Sequence, residues 1–278
     1  MTIHPAFRPG NVALITGGAA GIGLAIASRV ADMGMKFVLI DNRAAALEAA
    51  SASLSKTDVM VATADVSDRA ALETIGAKIK ERFGGVDVLV NNAGIEPPND
   101  VFGHVDTWRN VLDVNLWGVI NGCQVFVPEM ISRARPGLVI NTGSKQGITA
   151  PPGNPAYNAS KSALKSYTEA LEHQLRNTTG PRINAHLLIP GFVFTELTKG
   201  DRIEKPQAAW TPDQTADFAM QCIARGDFYI LCPDNDVSRE LDEKRMAWTM
   251  GDIIENRPPL SRWHPDWTNR FDEFLKQT

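Results

Sequence analysis

Tyr157 and Lys161 stand four residues apart in the segment Tyr157-Asn-Ala-Ser-Lys161. Helical spacing puts them on one face, one turn apart. An ammonium beside a phenol favours the phenolate, and so recruits a group with a pKa of about 10 for proton transfer near neutrality. Ser144 lies 13 residues before Tyr157. Its hydroxyl can hold a substrate oxygen beside the phenol. The trio suits general acid–base chemistry, although Tyr-x-x-x-Lys on its own is usually a solvated helix face.

A second group of residues suits a phosphate. Thr16-Gly17-Gly-Ala-Ala-Gly21-Ile22-Gly23 follows a short apolar run. A turn this tight beside a pyrophosphate needs residues without Cβ. The helix after it would offer free N–H groups and the positive end of its dipole. Asp41 comes 18 residues after Gly23, where a carboxylate can accept hydrogen bonds from both ribose hydroxyls of an adenosine and repel a 2′-phosphate. NAD is therefore favoured. Arg43 can offset that repulsion and keeps NADP open, and an Asp capping the next helix is the plainer reading of Asp41. Asn91-Asn92-Ala93-Gly94 follows another apolar run and by itself would be a strand-to-loop turn.

The elements that must position these residues alternate along the chain. Short apolar runs at Val12–Thr16, Phe37–Asp41, Val59–Ala64, Val86–Val90, Leu138–Thr142, Ile183–Ile189 and about 228–232 read as strands. Helical periods fall at 22–33, 44–54, 68–83, about 106–133, about 155–177 and about 213–225. Such alternation predicts an α/β fold, a doubly wound parallel sheet of seven strands covered on both faces. No linker or repeat divides it, so residues 1–278 read as a single domain with 233–278 as a C-terminal helical extension.

In this order and spacing the motifs resemble the short-chain dehydrogenase/reductase family, in its compact single-domain branch. The resemblance covers about 12–232. It is carried by TGGAAGIG at 16–23, Asp41, Asp65-Val66, NNAG at 91–94, Asn115, Ser144, YNASK at 157–161 and Pro190-Gly191. One departure is Gly143, where relatives often carry another serine. The resemblance implies an NAD(P)-dependent oxidoreductase, Rossmann-like in fold, acting on a secondary alcohol or ketone. Ser144, Tyr157, Lys161 and Asn115 would form the catalytic group, with Asn115 positioning a water on a proton relay. The cofactor contacts implied are Gly17, Gly21, Ile22, Gly23, Asp41, Asp65, Val66, Asn92, Ala93, Gly94, Tyr157, Lys161, Pro190, Val193 and Thr195, the last two meeting the nicotinamide carboxamide. The chemistry agrees, because removing hydride from an alcohol carbon requires removing the hydroxyl proton too. A non-catalytic dinucleotide-binding regulator on the same fold is the alternative, and it could dispense with the Ser, Tyr or Lys.

Composition narrows the remainder. The 278 residues carry a net charge of −4 and no basic run, which argues against nucleic acid. Cys123, Cys222 and Cys232 are too scattered for a disulfide framework, which predicts a cytoplasmic protein. Met1 to Asn11 does not read as a signal peptide, and no apolar run is long enough for a membrane span. His4, His104, His173, His186 and His264 show no metal spacing, so no metal is expected. The loop at about 196–212 reads as a substrate lid, and Trp117 and Trp210 are candidates for lining a pocket. The substrate is expected to be bulky and hydrophobic. Val114 to Gly137 and the long C-terminus faintly resemble relatives acting on aryl ether benzylic alcohols. Relatives commonly form dimers and tetramers through the two long helices. In the C-terminal extension, 237–254 suggests an amphipathic helix. Trp263, Trp267, Phe271, Phe274 and Leu275 then form an apolar stripe. That stripe is expected to cover the cleft or a subunit contact, or more plainly to pack on the chain's own outer face.

Overall fold

The computed structural model describes residues 3–54 and 58–276. The first two residues of the N-terminal segment, Met1 and Thr2, lie outside them.

Seven strands form one sheet. They are β1 (Val12–Thr16), β2 (Lys36–Asp41), β3 (Val59–Thr63), β4 (Val88–Asn91), β5 (Gly137–Thr142), β6 (Ile183–Ile189) and β7 (Tyr229–Leu231). Their order is β3-β2-β1-β4-β5-β6-β7, and every neighbouring pair is parallel. Strands covered on both faces lose the alternation of a half-exposed strand. Accordingly every residue of β1, β4 and β5 is buried, whereas β3 at the edge leaves Val61 exposed.

On one face lie α1 (Gly21–Asp32), α2 (Ala44–Ser53) and α8 (Pro212–Arg225), whose Ile26, Leu47 and Ile223 share a core with Ile15 and Val90. On the other lie α3 (Arg69–Phe83), α5 (Gly118–Ser132) and α7 (Pro155–Thr179), with Ile79, Phe126 and Leu164 packed on Leu14 and Val139. Local signals set the helix ends. The Asp68 side chain accepts from the N–H of Ala71, Thr211 and Gln214 form a capping box, and Gly84 and Gly226 end α3 and α8 at positive φ. Strand order reverses between β1 and β4. Their carboxyl ends therefore diverge and open a crevice, the usual ligand position in such sheets.

One expectation needs correction. The helix expected over 106–133 runs as α4 (Val105–Leu112), a π-helical turn at Asp113–Trp117, and then α5. A π turn inserts one residue, a change too small to disturb the apolar period that a sequence displays. A short helix, α6 (Gln146–Thr149), also follows β5, in a stretch to which the sequence assigns no element.

Beyond β7 come α9 (Arg239–Ile254), a 3-10 turn at Ser261–Trp263, and α10 (Thr268–Lys276). The aromatic stripe closes on α9. Trp267, Phe271 and Phe274 pack 6.3, 5.3 and 5.2 Å from the Trp248 ring. The Trp248 indole N–H donates to Ser261 Oγ at 2.7 Å, and the Arg257 guanidinium stacks over the ring at 4.1 Å. The stripe thus packs on the chain itself, not over the crevice. On another face of α9, Met246 meets Leu187, Ile189 and Leu231 at the end of the sheet. Truncating a buried Trp costs about 3–5 kcal/mol. Trp248→Ala should lower Tm accordingly and open Arg262 and Arg270 to trypsin. An unchanged Tm and digestion pattern would show that the stripe is held by something else.

Candidate active site

The crevice holds a cavity of about 600 Å³, lined from the carboxyl ends of β1, β2, β4, β5 and β6. The turn after β1 forms its floor. Gly17 and Gly21 adopt φ of 59° and 54°. A Cβ on Gly17 would lie 2.9 Å from Ala93 Cα, and one on Gly23 would lie 2.7 Å from the Asn92 side-chain nitrogen. The two turns after β1 and β4 therefore touch only because these residues lack side chains. Thr16 pins them further. Its Oγ1 accepts from the N–H groups of Asn92 and Ala93 at 2.9 and 3.1 Å, and Asn92 Nδ2 donates to the Thr16 carbonyl at 3.2 Å. Ala20 caps α1 with no side-chain hydrogen bond. The first-turn N–H groups keep their capacity for an anion.

Asp41 ends β2 buried, its carboxylate accepting the N–H groups of Ala19 and Arg43 at 3.3 and 3.1 Å. The Arg43 side chain also reaches it, with Nε donating at 3.0 Å and a terminal nitrogen at 3.3 Å. Arg43 is half-exposed, so a ribose could displace it while the backbone keeps Asp41 in place. Asp65 and Val66 follow β3, next to β2, and line the same cavity. Asp65 accepts the N–H and hydroxyl of Ser67 at 2.9 and 2.8 Å.

The proton-transfer trio converges on the opposite wall. Asn154 accepts the N–H of Tyr157 at 3.3 Å, and Pro155 opens α7, which places Tyr157 in the first turn. Lys161 follows one turn later, with Nζ 5.6 Å from the centre of the Tyr157 ring. Lys161 Nζ donates to the carbonyl of Thr142, the last residue of β5, at 2.8 Å. Ser144, two residues on, hydrogen-bonds Tyr157 through its side chain. Gly147 lets α6 press on α7, since a Cβ there would lie 2.6 Å from the Lys161 backbone carbon. The hydroxyl of Ser162 then bonds the Gly147 carbonyl at 2.9 Å.

Burial pushes every member of this group toward its neutral form. It pushes the Lys161 ammonium down to about 8, with Glu96 pulling the other way. Burial raises Tyr157 above the ordinary tyrosine range, and Glu96 adds to the rise, while the Ser144 hydrogen bond opposes it. Burial also raises Glu96 itself, against a hydrogen bond from Gln146 at 3.0 Å and the charge of Lys161.

Of the residues expected at the site, Gly17, Gly21, Ile22, Asp41, Asp65, Val66, Asn92, Ala93, Gly94, Ser144, Tyr157, Lys161, Pro190, Val193 and Thr195 all line the cavity. Gly23 sits behind the wall, against Gly17 and Asn92. Asn115 also sits behind it, fully buried in the π turn. Its carboxamide accepts from the Ile95 N–H at 2.8 Å, and donates to the Ile95 carbonyl at 2.9 Å and Ser160 Oγ at 3.2 Å. Both donors are engaged, and the group holds the loop after β4 in place. A water on the side chain could use only the remaining lone pair of its oxygen.

Neither tryptophan considered for the pocket lines it. Trp117 is exposed on the π turn, and Trp210 packs edge-on against Phe218 at 5.7 Å. Trp210 contributes backbone instead, its N–H donating to the Phe192 carbonyl and its carbonyl accepting from Phe194, both at 2.9 Å. This bridge anchors the base of the 196–212 loop, whose Glu196, Leu197 and Thr198 do line the cavity.

Sequence reasoning missed Glu96, Gln146, Val237 and Arg245, all on the cavity wall. The first two each lie two residues beyond a recognised motif position, Gly94 and Ser144, and could have been found by that step. The last two come from the C-terminal extension, which matches no motif.

Comparison with known proteins agrees with the fold. The family model described as short chain dehydrogenase matches residues 11–206. A short-chain dehydrogenase/reductase from Burkholderia phymatum, solved in complex with NAD, superposes with a TM-score of 0.81 at 30% identity, over 91% of this chain and 97% of that one. Galactitol 2-dehydrogenase (L-tagatose-forming) of Cereibacter sphaeroides is 37% identical over 74% of this chain and 81% of its own. The 1-deoxy-11-beta-hydroxypentalenate dehydrogenase of Streptomyces avermitilis is 29% identical over 86% and 90%. With a glycine cradle, a carboxylate at the end of β2 and a Ser–Tyr–Lys cluster in one crevice, and a family match over most of its length, this chain belongs to the short-chain dehydrogenase family.

Proposed function

We propose that the chain oxidises a secondary alcohol, or reduces the corresponding ketone, with NAD as its partner and Tyr157 as the acid–base group. The observation that carries this reading is the meeting of Ser144, Tyr157 and Lys161 in the same cavity as the Gly17–Gly23 cradle. A dinucleotide fits the cradle. Its pyrophosphate would sit on the open first turn of α1, its adenosine ribose against Asp41, and its nicotinamide end beside Val193 and Thr195. Bound there, the oxidised nicotinamide supplies the hydride acceptor and a positive charge beside Tyr157.

The chain's own residues do the rest. Ser144 holds the substrate oxygen next to the phenol. Tyr157 takes the hydroxyl proton in oxidation and returns it in reduction. Lys161 favours the phenolate through its charge. Asn115 fixes Ile95 and thereby the loop that carries Glu96. The Asp41 carboxylate would repel a 2′-phosphate, which supports NAD over NADP. Arg43, half-exposed beside it, offers a cation that could meet a 2′-phosphate and so admits NADP as a second cofactor. Ile95, Leu197 and Phe192 give the substrate end an apolar lining, in keeping with a bulky hydrophobic substrate. The named relatives act on chemically different molecules, so they do not choose among alcohols.

The three cysteines are buried and unpaired, as suits a reducing cytoplasm, and among the described residues no helix is long and apolar enough to cross a membrane. Trp117, exposed on the long helical segment 105–132, supports a homodimer or homotetramer through that face.

Tyr157→Phe should lower kcat by about a hundredfold or more, followed by the absorbance of reduced nicotinamide with a panel of hydrophobic secondary alcohols. NAD binding should stay close to wild type, since the phenol adds little to dinucleotide contact. A variant that keeps a tenth of the wild-type kcat would remove Tyr157 from the chemistry. Glu96→Gln tests the electrostatics. The lost negative charge no longer helps to retain protons on the Tyr157–Lys161 pair, which then gives up its first proton at lower pH. The acid limb of kcat/KM for alcohol oxidation should therefore shift to lower pH. An unmoved or raised limb would contradict the coupling.

A further inference from the structure

Arg245 projects from α9 into the same cavity as the proton-transfer trio, alongside Val237 and Asp234. This part of the wall lies outside residues 11–206, which the family model matches. Arg245 is half-buried, and its Nε is buried without a hydrogen-bond partner. Among the described residues no carboxylate comes within ion-pair distance of its guanidinium. Neighbouring cations are treated differently. Lys145 pairs with Asp242 at 2.6 Å and Asp234 at 3.3 Å, and Arg257 pairs with Asp252 at 3.1 Å. Arg262 lies near enough to Arg245 for the two charges to repel, and burial and that repulsion lower its pKa. The corner thus holds three cations, Lys145, Arg245 and Arg262, against two carboxylates.

A half-buried guanidinium whose Nε has no hydrogen bond, and which meets the charge of Asp242 only beyond ion-pair distance, is short of partners. It is also the group best shaped to take a carboxylate with two parallel hydrogen bonds. We propose, resting on the dehydrogenase reading above, that Arg245 binds a carboxylate on the substrate, which is therefore a hydrophobic secondary alcohol or ketone bearing an acid group. A monoanion suits the cavity better than a phosphate, because Glu96 on the wall opposes a second negative charge. The carboxylate takes no part in the reaction. With NAD bound as hydride acceptor, Tyr157 would take the hydroxyl proton, and the acid group held by Arg245 would fix the distance between the alcohol carbon and α9. Arg245 is in these terms a specificity-determining residue, and it makes the C-terminal extension part of the substrate site.

The test uses the full-length protein with NADH and two matched pairs: para-acetylbenzoate with its methyl ester, and a mid-chain keto-octadecanoate with its methyl ester. At least one acid should exceed its ester in kcat/KM by about tenfold or more, the range for a charged hydrogen bond. Arg245→Gln should bring that ratio close to one, mainly through KM, while Arg245→Lys should keep part of the preference. Binding of the same ketones to the protein–NADH complex, read by quenching of NADH fluorescence, gives a second readout that needs no turnover. Acids and esters that behave alike in both assays, or a preference that survives Arg245→Gln, would overturn the proposal. If no ketone is reduced but the acids bind with the Arg245-dependent preference, the anion site stands and the dehydrogenase reading fails.

Discussion

Lys161 carries its ammonium into a position where the residue is 4% exposed, and a hydrogen bond to the carbonyl of Thr142 at 2.8 Å holds it there. A buried charge must be compensated or give up its proton. Here it moves part of the way, down to about 8. Glu96 restrains the fall, but the same carboxylate works against ionisation of Tyr157. One amine, one phenol and one carboxylate thus share a small number of protons, and each sets the charge of the others. Such a set is sensitive to any further charge brought to it, which is how a site can stay protonated alone and become basic with a cationic ligand in place.

The rest of the structure holds that ammonium under the phenol. Asn91 Nδ2 donates to Asn141 Oδ1 at 2.9 Å, and Asn141 Nδ2 donates to Thr168 Oγ1 at 3.1 Å, tying β4, β5 and α7 together inside the core. The Thr168 hydroxyl in turn donates to the Leu164 carbonyl at 2.8 Å. Buried polar ladders of this kind fix register, because a shift by one residue would orphan every member. With α7 so placed, the cap at Asn154 and the close approach at Gly147 leave little freedom for Tyr157 or Ser144.

Much of this was legible in the sequence. Apolar runs between helical periods predict the parallel sheet, and the strands at 12–16 and 183–189 fall where they were expected. The glycine cradle and the Tyr157–Lys161 pair could be read because their roles demand particular types at particular spacings, whereas Asn115, Asp65, Val66, Val193 and Thr195 were implied only by the family resemblance. The π turn at 113–117 could not, since one inserted residue leaves the apolar stripe of a long helix nearly unchanged. The substrate end was also hidden. Val237 and Arg245 reach the cavity from the C-terminal extension, far from every motif position. A lone charged residue on an amphipathic helix looks the same in sequence whether it faces water or a cavity.

The tyrosines offer the most direct test of the central claim. The chain has only three, at 157, 167 and 229. Burial raises all of them, Tyr229 to about 12. Ultraviolet difference titration of tyrosinate, with and without NAD, should show no ionisation below the ordinary value of about 10 in the free protein. With NAD one tyrosine should ionise well below that value. The signal should vanish in Tyr157→Phe and move back up in Lys161→Met. If all three tyrosines titrate above about 10 in the presence of NAD as well, Tyr157 is not the base this charge arrangement makes it.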